Sequence, residues 1–297
     1  MTADDPEVAG DRDSATVAVV IPSWHGEVAR TLWSLEAQTY RRFAVEVVRR
    51  VSPAARARNR GVAVTGGEYI LFLDDDAYLG HPAVLEQLVA ALDADEGVGI
   101  AGPSKVLPAD ANWLQRRIAV EVPRWVFPVL DHATESNPPL DRYGFTGITT
   151  SCCLVRRGVF AAVGGFDERL PTGPEDTEFF FRVRQAGHRF VIPAHCRVDH
   201  APPRHLLALL RKSFRYGAGH AHEARLSPGR GMALVPLDRW YGMAFVVLSP
   251  LLFIPSLFVA YYFDPVRRWH VGFRPFKAMS TYATLYGYTW GWFRDAT

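Results

Sequence analysis

Residues Glu68 to Leu79 read EYILFLDDDAYL. Tyr69 through Leu73 are apolar without a break and rich in strand formers, the pattern of a strand buried on both faces in the middle of a parallel sheet. Three carboxylates follow at once, Asp74, Asp75 and Asp76. In an open α/β sheet, ligands sit in the crevice beyond the carboxyl ends of the strands. Adjacent acids there repel one another unless something positive sits among them, and a divalent cation bound to phosphates takes its hard oxygen ligands from one or two such carboxylates. A solvated acidic turn ahead of the next helix is the plainer alternative, so the rest of the chain has to decide.

Outward from this stretch, strands alternate with helices. Val17–Ile21 (VAVVI) reads as a buried strand stopped by Pro22, and Phe43–Val48 as a second. Glu27–Thr39 carries Val28, Leu32 and Leu35 at helical spacing, and RARNRG at Arg56–Gly61 begins a short helix. Val84, Leu85, Leu88, Val89 and Leu92 form one helix face, closed by Gly97, before a fourth strand at Gly99–Gly102. This order predicts an α/β, Rossmann-like, mostly parallel sheet flanked by helices. From Leu107 to Gly144, Pro123, Pro128, Pro138 and Pro139 predict a long irregular excursion of the sort that often serves as a lid. Beyond it come a strand at Phe145–Arg156, helices at Val159–Val163 and Asp176–Gln185, one strand at Arg189–Val198 with His200 past its end, and an amphipathic helix at Arg204–Gly217.

Composition bounds the function. With 48% hydrophobic residues in a chain of 297, a large core is expected, and a formal net charge of +2 gives no argument for nucleic acid as a partner. The three cysteines, Cys152, Cys153 and Cys196, match neither a disulfide framework nor metal-ligand spacing, so they read as packing residues in a reducing compartment. Residues 1–15 are polar and acidic without the features of a signal peptide, and read as a flexible tail. Trp240–Phe263 is a run of 24 residues without a charge, and Ala278–Phe293 one of 16. Residues 226–297 are therefore expected to form apolar membrane-associated helices, as a span, a hairpin or helices lying in the interface. That reading makes membrane lipid a partner and places the protein at the cytoplasmic membrane, with its catalytic domain on the cytosolic side.

The ordered set VAVVIPSWHGE, ARNRG, EYILFLDDDA, VGGFDE, PEDTEFFFRVRQAG and RVDH resembles the inverting GT-A glycosyltransferases of the large family 2, from about Val17 to Gly219. The resemblance implies a GT-A domain over residues 16–225, with a nucleotide-binding half at 16–106 and an acceptor half at 145–225. It implies metal-dependent transfer of a single sugar, with inversion, from a nucleotide-sugar to a hydroxyl of a lipid-linked or cell-envelope glycan. Asp76 would bind Mn²⁺ or Mg²⁺ at the pyrophosphate, with Asp74 as a further ligand or a donor contact and His200 completing the metal shell. Asp176 would be the general base. Pro22, Ser23 and Trp24 would lie at the nucleobase, Arg56, Arg58, Asn59 and Asp75 beside the donor, and Gly164, Gly165 and Glu175 on the acceptor side. Arg215 stands where processive relatives carry a QxxRW motif; Lys212 and Tyr216 replace its glutamine and tryptophan, which argues against polymer synthesis and leaves Arg215 as a donor phosphate contact. The acidic residue that usually reads the base edge is absent, its place taken by Arg49-Arg50-Val51-Ser52-Pro53, with Ser52 as the replacement contact. A nucleotidyltransferase and a non-catalytic membrane scaffold on the same fold are the alternatives.

Overall fold

The computed structural model describes residues 15–122, 125–144, 146–170, 173–231, 233–260 and 270–294; all but the last residue of the expected tail at 1–15 and the end of the longer apolar run lie outside them. The chain folds as two compact units, Met1–Pro108 with Val126–Pro171 and Glu175–His200, and Ala109–Trp125 with Thr172–Pro174 and Ala201–Thr297.

In the first unit, β1 (Val17–Ser23), α1 (Ala29–Glu36), β2 (Phe43–Arg49), α2 (Ala54–Ala63), β3 (Tyr69–Leu73), β4 (Ala77–Leu79), α3 (Val84–Asp93), β5 (Val98–Ala101) and β6 (Ser104–Val106) follow the expected alternation. The helix α4 (Trp113–Glu121) belongs to the second unit; β7 (Thr134–Glu135), β8 (Cys152–Arg156), α5 (Arg157–Ala162), α6 (Glu175–Gln185), β9 (Arg189–Ile192) and β10 (Arg197–His200) return to the first. Seven strands form one sheet in the order β2-β1-β3-β8-β5-β9-β7. The sheet is mixed rather than parallel: β8 runs antiparallel between β3 and β5, and β7 antiparallel on β9. The cause is where the excursion returns. It leaves beyond the carboxyl end of β5 and comes back at the carboxyl end of β3, where the Asp74 amide donates to the Ser151 carbonyl at 3.0 Å. A strand entering from that end has to run backwards.

Period-two alternation then divides the core into two layers. Val17, Val19, Ile21, Leu71, Leu73 and Leu154 pack with α1 and α3 on one face, while Val20, Ile70, Phe72 and Val155 pack with α2, α5 and α6 on the other. Adjacent Cys152 and Cys153 fall on opposite faces, and all three thiols are buried and unpaired. The single strand expected at Arg189–Val198 is two strands in two sheets. The chain turns at His195, whose φ is +55°, and β10 joins β4 and β6 in a small second sheet. The predicted irregular excursion also contains α4, started by a reciprocal cap in which Asn112 and Gln115 each accept the other's backbone N–H at 2.9 Å.

The second unit is helical. Its α7 (Leu206–Leu226) runs well past Gly217, the expected end, and is followed by α8 (Trp240–Leu248), a 3-10 turn at Ser249–Leu252, α9 (Phe253–Ser256), the short pair β11 (Val259–Ala260) and β12 (His270–Val271), and α10 (Pro275–Arg294). Gly217 does not terminate α7 because it is where α10 crosses. A Cβ there would stand 2.0 Å from the Thr284 carbonyl oxygen, and one on Gly287 would stand 2.0 Å from that of Phe214. The longer apolar run is broken around Pro250 and Pro255, and among the described residues no helix is long and apolar enough to cross a membrane. Much of that run faces outward, with Trp240 82% and Leu251 75% exposed.

Candidate active site

The three acids sit where β3 ends and β4 begins. The Ala77 amide donates to the Asp74 carbonyl at 3.1 Å, a tight turn that fans the three side chains apart. Antiparallel pairing places His200 opposite Ala77, which brings its Nε2 to 3.2 Å from Asp76 Oδ1. One ligand atom from each of Asp74, Asp76 and His200 lies within 4.8 Å of the others. Two carboxylate oxygens and an imidazole nitrogen at that separation fit a divalent cation, and the nitrogen favours Mn²⁺ over Mg²⁺.

Asp75 turns the other way. Its Oδ2 accepts from Ser23 Oγ at 2.6 Å, Ser23 Oγ accepts from the Gly26 amide at 2.9 Å, and the Asp75 carbonyl accepts from Thr31 Oγ1 at 2.8 Å. Burial, and then the charges of Asp76 and Asp74, push the Asp75 carboxyl above its ordinary value. The structure thus ties the end of β1 to the acidic turn. Trp24 beside it is 57% exposed, Pro22 is half-buried in register with Val48, and Ser52 is exposed between β2 and α2.

The helix α2 ties its polar side chains to neighbouring elements. Arg58, expected beside the donor, is buried and spans two acids, donating from Nη2 to Asp74 Oδ1 at 2.9 Å and from Nη1 to Glu175 Oε1 at 3.0 Å. Burial alone would lower its pKa, yet Asp74 and Glu175 hold it above the ordinary value. Asn59 clamps the backbone of Phe166, accepting from its amide and donating to its carbonyl, both at 2.9 Å. Gly165, with φ +70°, lies under that clamp, where a Cβ would approach Asn59 Oδ1 to 2.9 Å. Arg56 pairs with Glu168 at 3.1 Å on the surface. These three side chains therefore strap the acidic turn to the glycine turn and to α6. Residue type suited them to phosphate; here they meet Glu175, Phe166 and Glu168. Arg182 went unnoticed in the sequence. It donates to the carbonyl of Gly165 at 2.7 Å while paired with Glu178 at 2.6 Å, and the four-residue spacing of that pair on a helix was the available signal.

At the start of α6, Glu175 faces Arg58, and Asp176 Oδ1 accepts from the Thr177 amide at 2.8 Å. Burial, then the neighbouring Glu175, push the Asp176 carboxyl up to about 7, against the pull of Arg58, the Thr177 amide and Lys105. A carboxylate in this range is a competent proton acceptor near neutral pH. Arg215 lies on α7 in the second unit.

Residues 45–219 match the family model described as glycosyltransferase like family 2. The O-antigen biosynthesis protein RfbC of Myxococcus xanthus is 30% identical over 140 residues, covering 45% of this chain and 11% of that protein. The pre-mycofactocin glycosyltransferase of Mycobacterium tuberculosis is 27% identical over 202 residues, covering 66% of this chain and 40% of that one. The chain thus spans less than half the length of these curated relatives. Among solved structures, the mannosyltransferase PcManGT from Pyrobaculum calidifontis, in complex with GDP-Man and Mn²⁺, is similar with a TM-score of 0.57 at 14% identity, over 95% of this chain and 88% of that one. That likeness is one of fold.

Proposed function

The chain belongs to glycosyltransferase family 2, and on that premise we propose that it transfers one sugar, with inversion, from a nucleotide-sugar to a hydroxyl of a lipid-linked or cell-envelope glycan. The observation that carries this reading is the placing of two chemistries on one frame. A cation-binding set at Asp74, Asp76 and His200 is linked through buried Arg58 to the helix that carries Asp176.

In the reaction, Asp176 takes the proton of the acceptor hydroxyl as that oxygen bonds to the anomeric carbon, and the bond from that carbon to the donor's phosphate oxygen breaks on the opposite side. The cation, when bound by Asp74, Asp76 and His200, neutralises the charge gathering on the departing nucleoside diphosphate. Ser23 and Asp75, joined at 2.6 Å, form the wall between the end of β1 and the acidic turn, and serve the nucleoside of the donor. Arg58 acts by position, holding the side chains of Asp74 and Glu175 in place. The missing glutamine and tryptophan at Lys212 and Tyr216 favour single transfer over polymer synthesis. The outward-facing apolar residues of α8 and α9 support attachment at the interface of the cytoplasmic membrane, with the first unit on the cytosolic side. The likeness to an O-antigen biosynthesis protein of Myxococcus xanthus supports a cell-envelope acceptor.

A thermal-shift panel of nucleoside diphosphates and nucleotide-sugars, with and without Mn²⁺ or Mg²⁺, tests the donor half. A ligand at about 100 times its Kd stabilises the native state by about 2.7 kcal/mol. The expected result is a metal-dependent rise with one base only, Mn²⁺ exceeding Mg²⁺. No shift with any nucleotide, in protein shown to be folded, would favour a non-catalytic scaffold.

A further inference from the structure

The second unit carries an open cavity of about 410 Å³ lined by Ala208, Arg211, Phe214 and Arg215 of α7. Arg211 and Arg215 are one helical turn apart, and neither has an ion pair among the described residues. No carboxylate lines the cavity. Two guanidinium groups at this spacing, without an internal acid to consume them, suit the oxygens of a phosphate.

What adjoins the cavity selects the kind of phosphate. The Phe214 ring lies 5.6 Å from that of Trp290 on α10, and Tyr286 and Tyr282 continue the same face at intervals of four residues. Tyr282 meets Phe253 of α9 at 5.2 Å, which leads on to the exposed Leu251 and Ile254. A soluble anion would have no use for this path. A phosphate with a hydrocarbon tail would use both ends of it, the aromatic stripe being amphipathic and suited to the boundary between head groups and acyl chains.

We infer that Arg211 and Arg215 seat the phosphate of a membrane lipid whose hydrocarbon runs along Trp290, Tyr286 and Tyr282 toward α9. The inference deepens the proposed function by making a lipid phosphate the carrier group of the acceptor, and rests on that reading for this last step alone.

The test is co-sedimentation of the full chain with three vesicle populations: phosphatidylcholine alone, equimolar phosphatidylcholine and phosphatidic acid, and equimolar phosphatidylcholine and oleic acid, the last supplying negative charge without a phosphomonoester. Partition into the phosphatidic acid vesicles is expected to exceed that into phosphatidylcholine by about tenfold, since each arginine near an anionic surface contributes measurably, and to exceed that into the oleic acid vesicles because the paired guanidinium groups share the several oxygens of one phosphomonoester. The double variant R211Q/R215Q should fall to the phosphatidylcholine level. Equal partition into all three populations, or a double variant indistinguishable from the parent chain, would overturn the inference. So would full displacement from the vesicles by inorganic phosphate at the same phosphate concentration, which would assign the cavity to free phosphate. The nucleotide panel is read separately on the parent chain: its failure would remove the transferase reading and leave the vesicle result intact.

Discussion

Arg58 and Arg211 are both helical arginines beside functional ground, and the two units use them in opposite ways. Arg58 is 4% exposed and each arm of its fork holds a carboxylate. Arg211 faces solvent with no ion pair among the described residues. The apolar residues divide likewise: β3, β5 and β8 of the first unit bury theirs completely, while α8 and the 3-10 turn after it in the second leave Trp240 and Leu251 outside. A charge spent on internal acids sets geometry and pKa, whereas an unspent one beside exposed apolar surface is available to something outside. On the proposed reading, the first unit does the chemistry and the second is covered by lipid.

The largest expected effect tests the chemical half of that contrast. Asp176→Asn should lower kcat by about 10³-fold, within the range for losing a general base, while the metal-dependent nucleotide shift persists. In the parent chain, kcat should fall as pH drops through about 7, where the Asp176 carboxylate gains its proton. Stability runs the other way. The folded-state pKa lies above the ordinary value near 3.9, so the native state holds this proton more tightly than the unfolded chain, and that contribution is lost as pH rises from about 4 to about 7. Asp176→Asn should therefore raise Tm by a few degrees at pH 8 and leave it unchanged near pH 4; a fall at pH 8 would show that the charge is not strained there. Next in size, Arg58→Met leaves Asp74 and Glu175 facing each other uncompensated and should cost about 3–5 kcal/mol in urea unfolding. A loss under 1 kcal/mol would mean that the bridge does not organise the first unit, and the contrast with Arg211 would fail.

How far the sequence foretold this depends on the range of the interaction involved. Tyr69–Leu73 and Val17–Ile21 were legible because a strand buried on both faces leaves an uninterrupted apolar run. The grouping of Asp74 and Asp76 followed from where that run stops. Strand direction was not legible: β8 is antiparallel because a long excursion returns at one end of the sheet, and no periodicity encodes that. The role of Arg58 was hidden for a similar reason, since its partner Glu175 is 117 residues away. Proline content masked α4 although Asn112 and Gln115 carry its cap in plain view. The expected helix stopped at Gly217, whereas the structure uses the missing side chain there for the crossing with α10.

The remaining tests concern the second unit. Gly287→Ala drives a methyl group into the Phe214 carbonyl, so the helices must part, at about 1–3 kcal/mol for an overpacked site. The nucleotide shift should survive that change; its loss would mean that the units do not behave independently. The smallest expected stability effect is the sharpest. Leu251→Ser alters a side chain that is 75% exposed and should move ΔG by no more than about 0.5 kcal/mol. The same change should weaken partition into phosphatidylcholine vesicles by about tenfold or more, since burying a leucine side chain in an apolar medium is worth about 1.5–3 kcal/mol. Those two results together are what a surface covered only by lipid requires. If Leu251→Ser instead cost 2 kcal/mol or more in the absence of vesicles, the residue would already be covered in solution by another part of the protein or a second copy. The apolar face would then be an internal or subunit contact, and the distinction between a unit that does chemistry and a unit that waits to be covered would disappear.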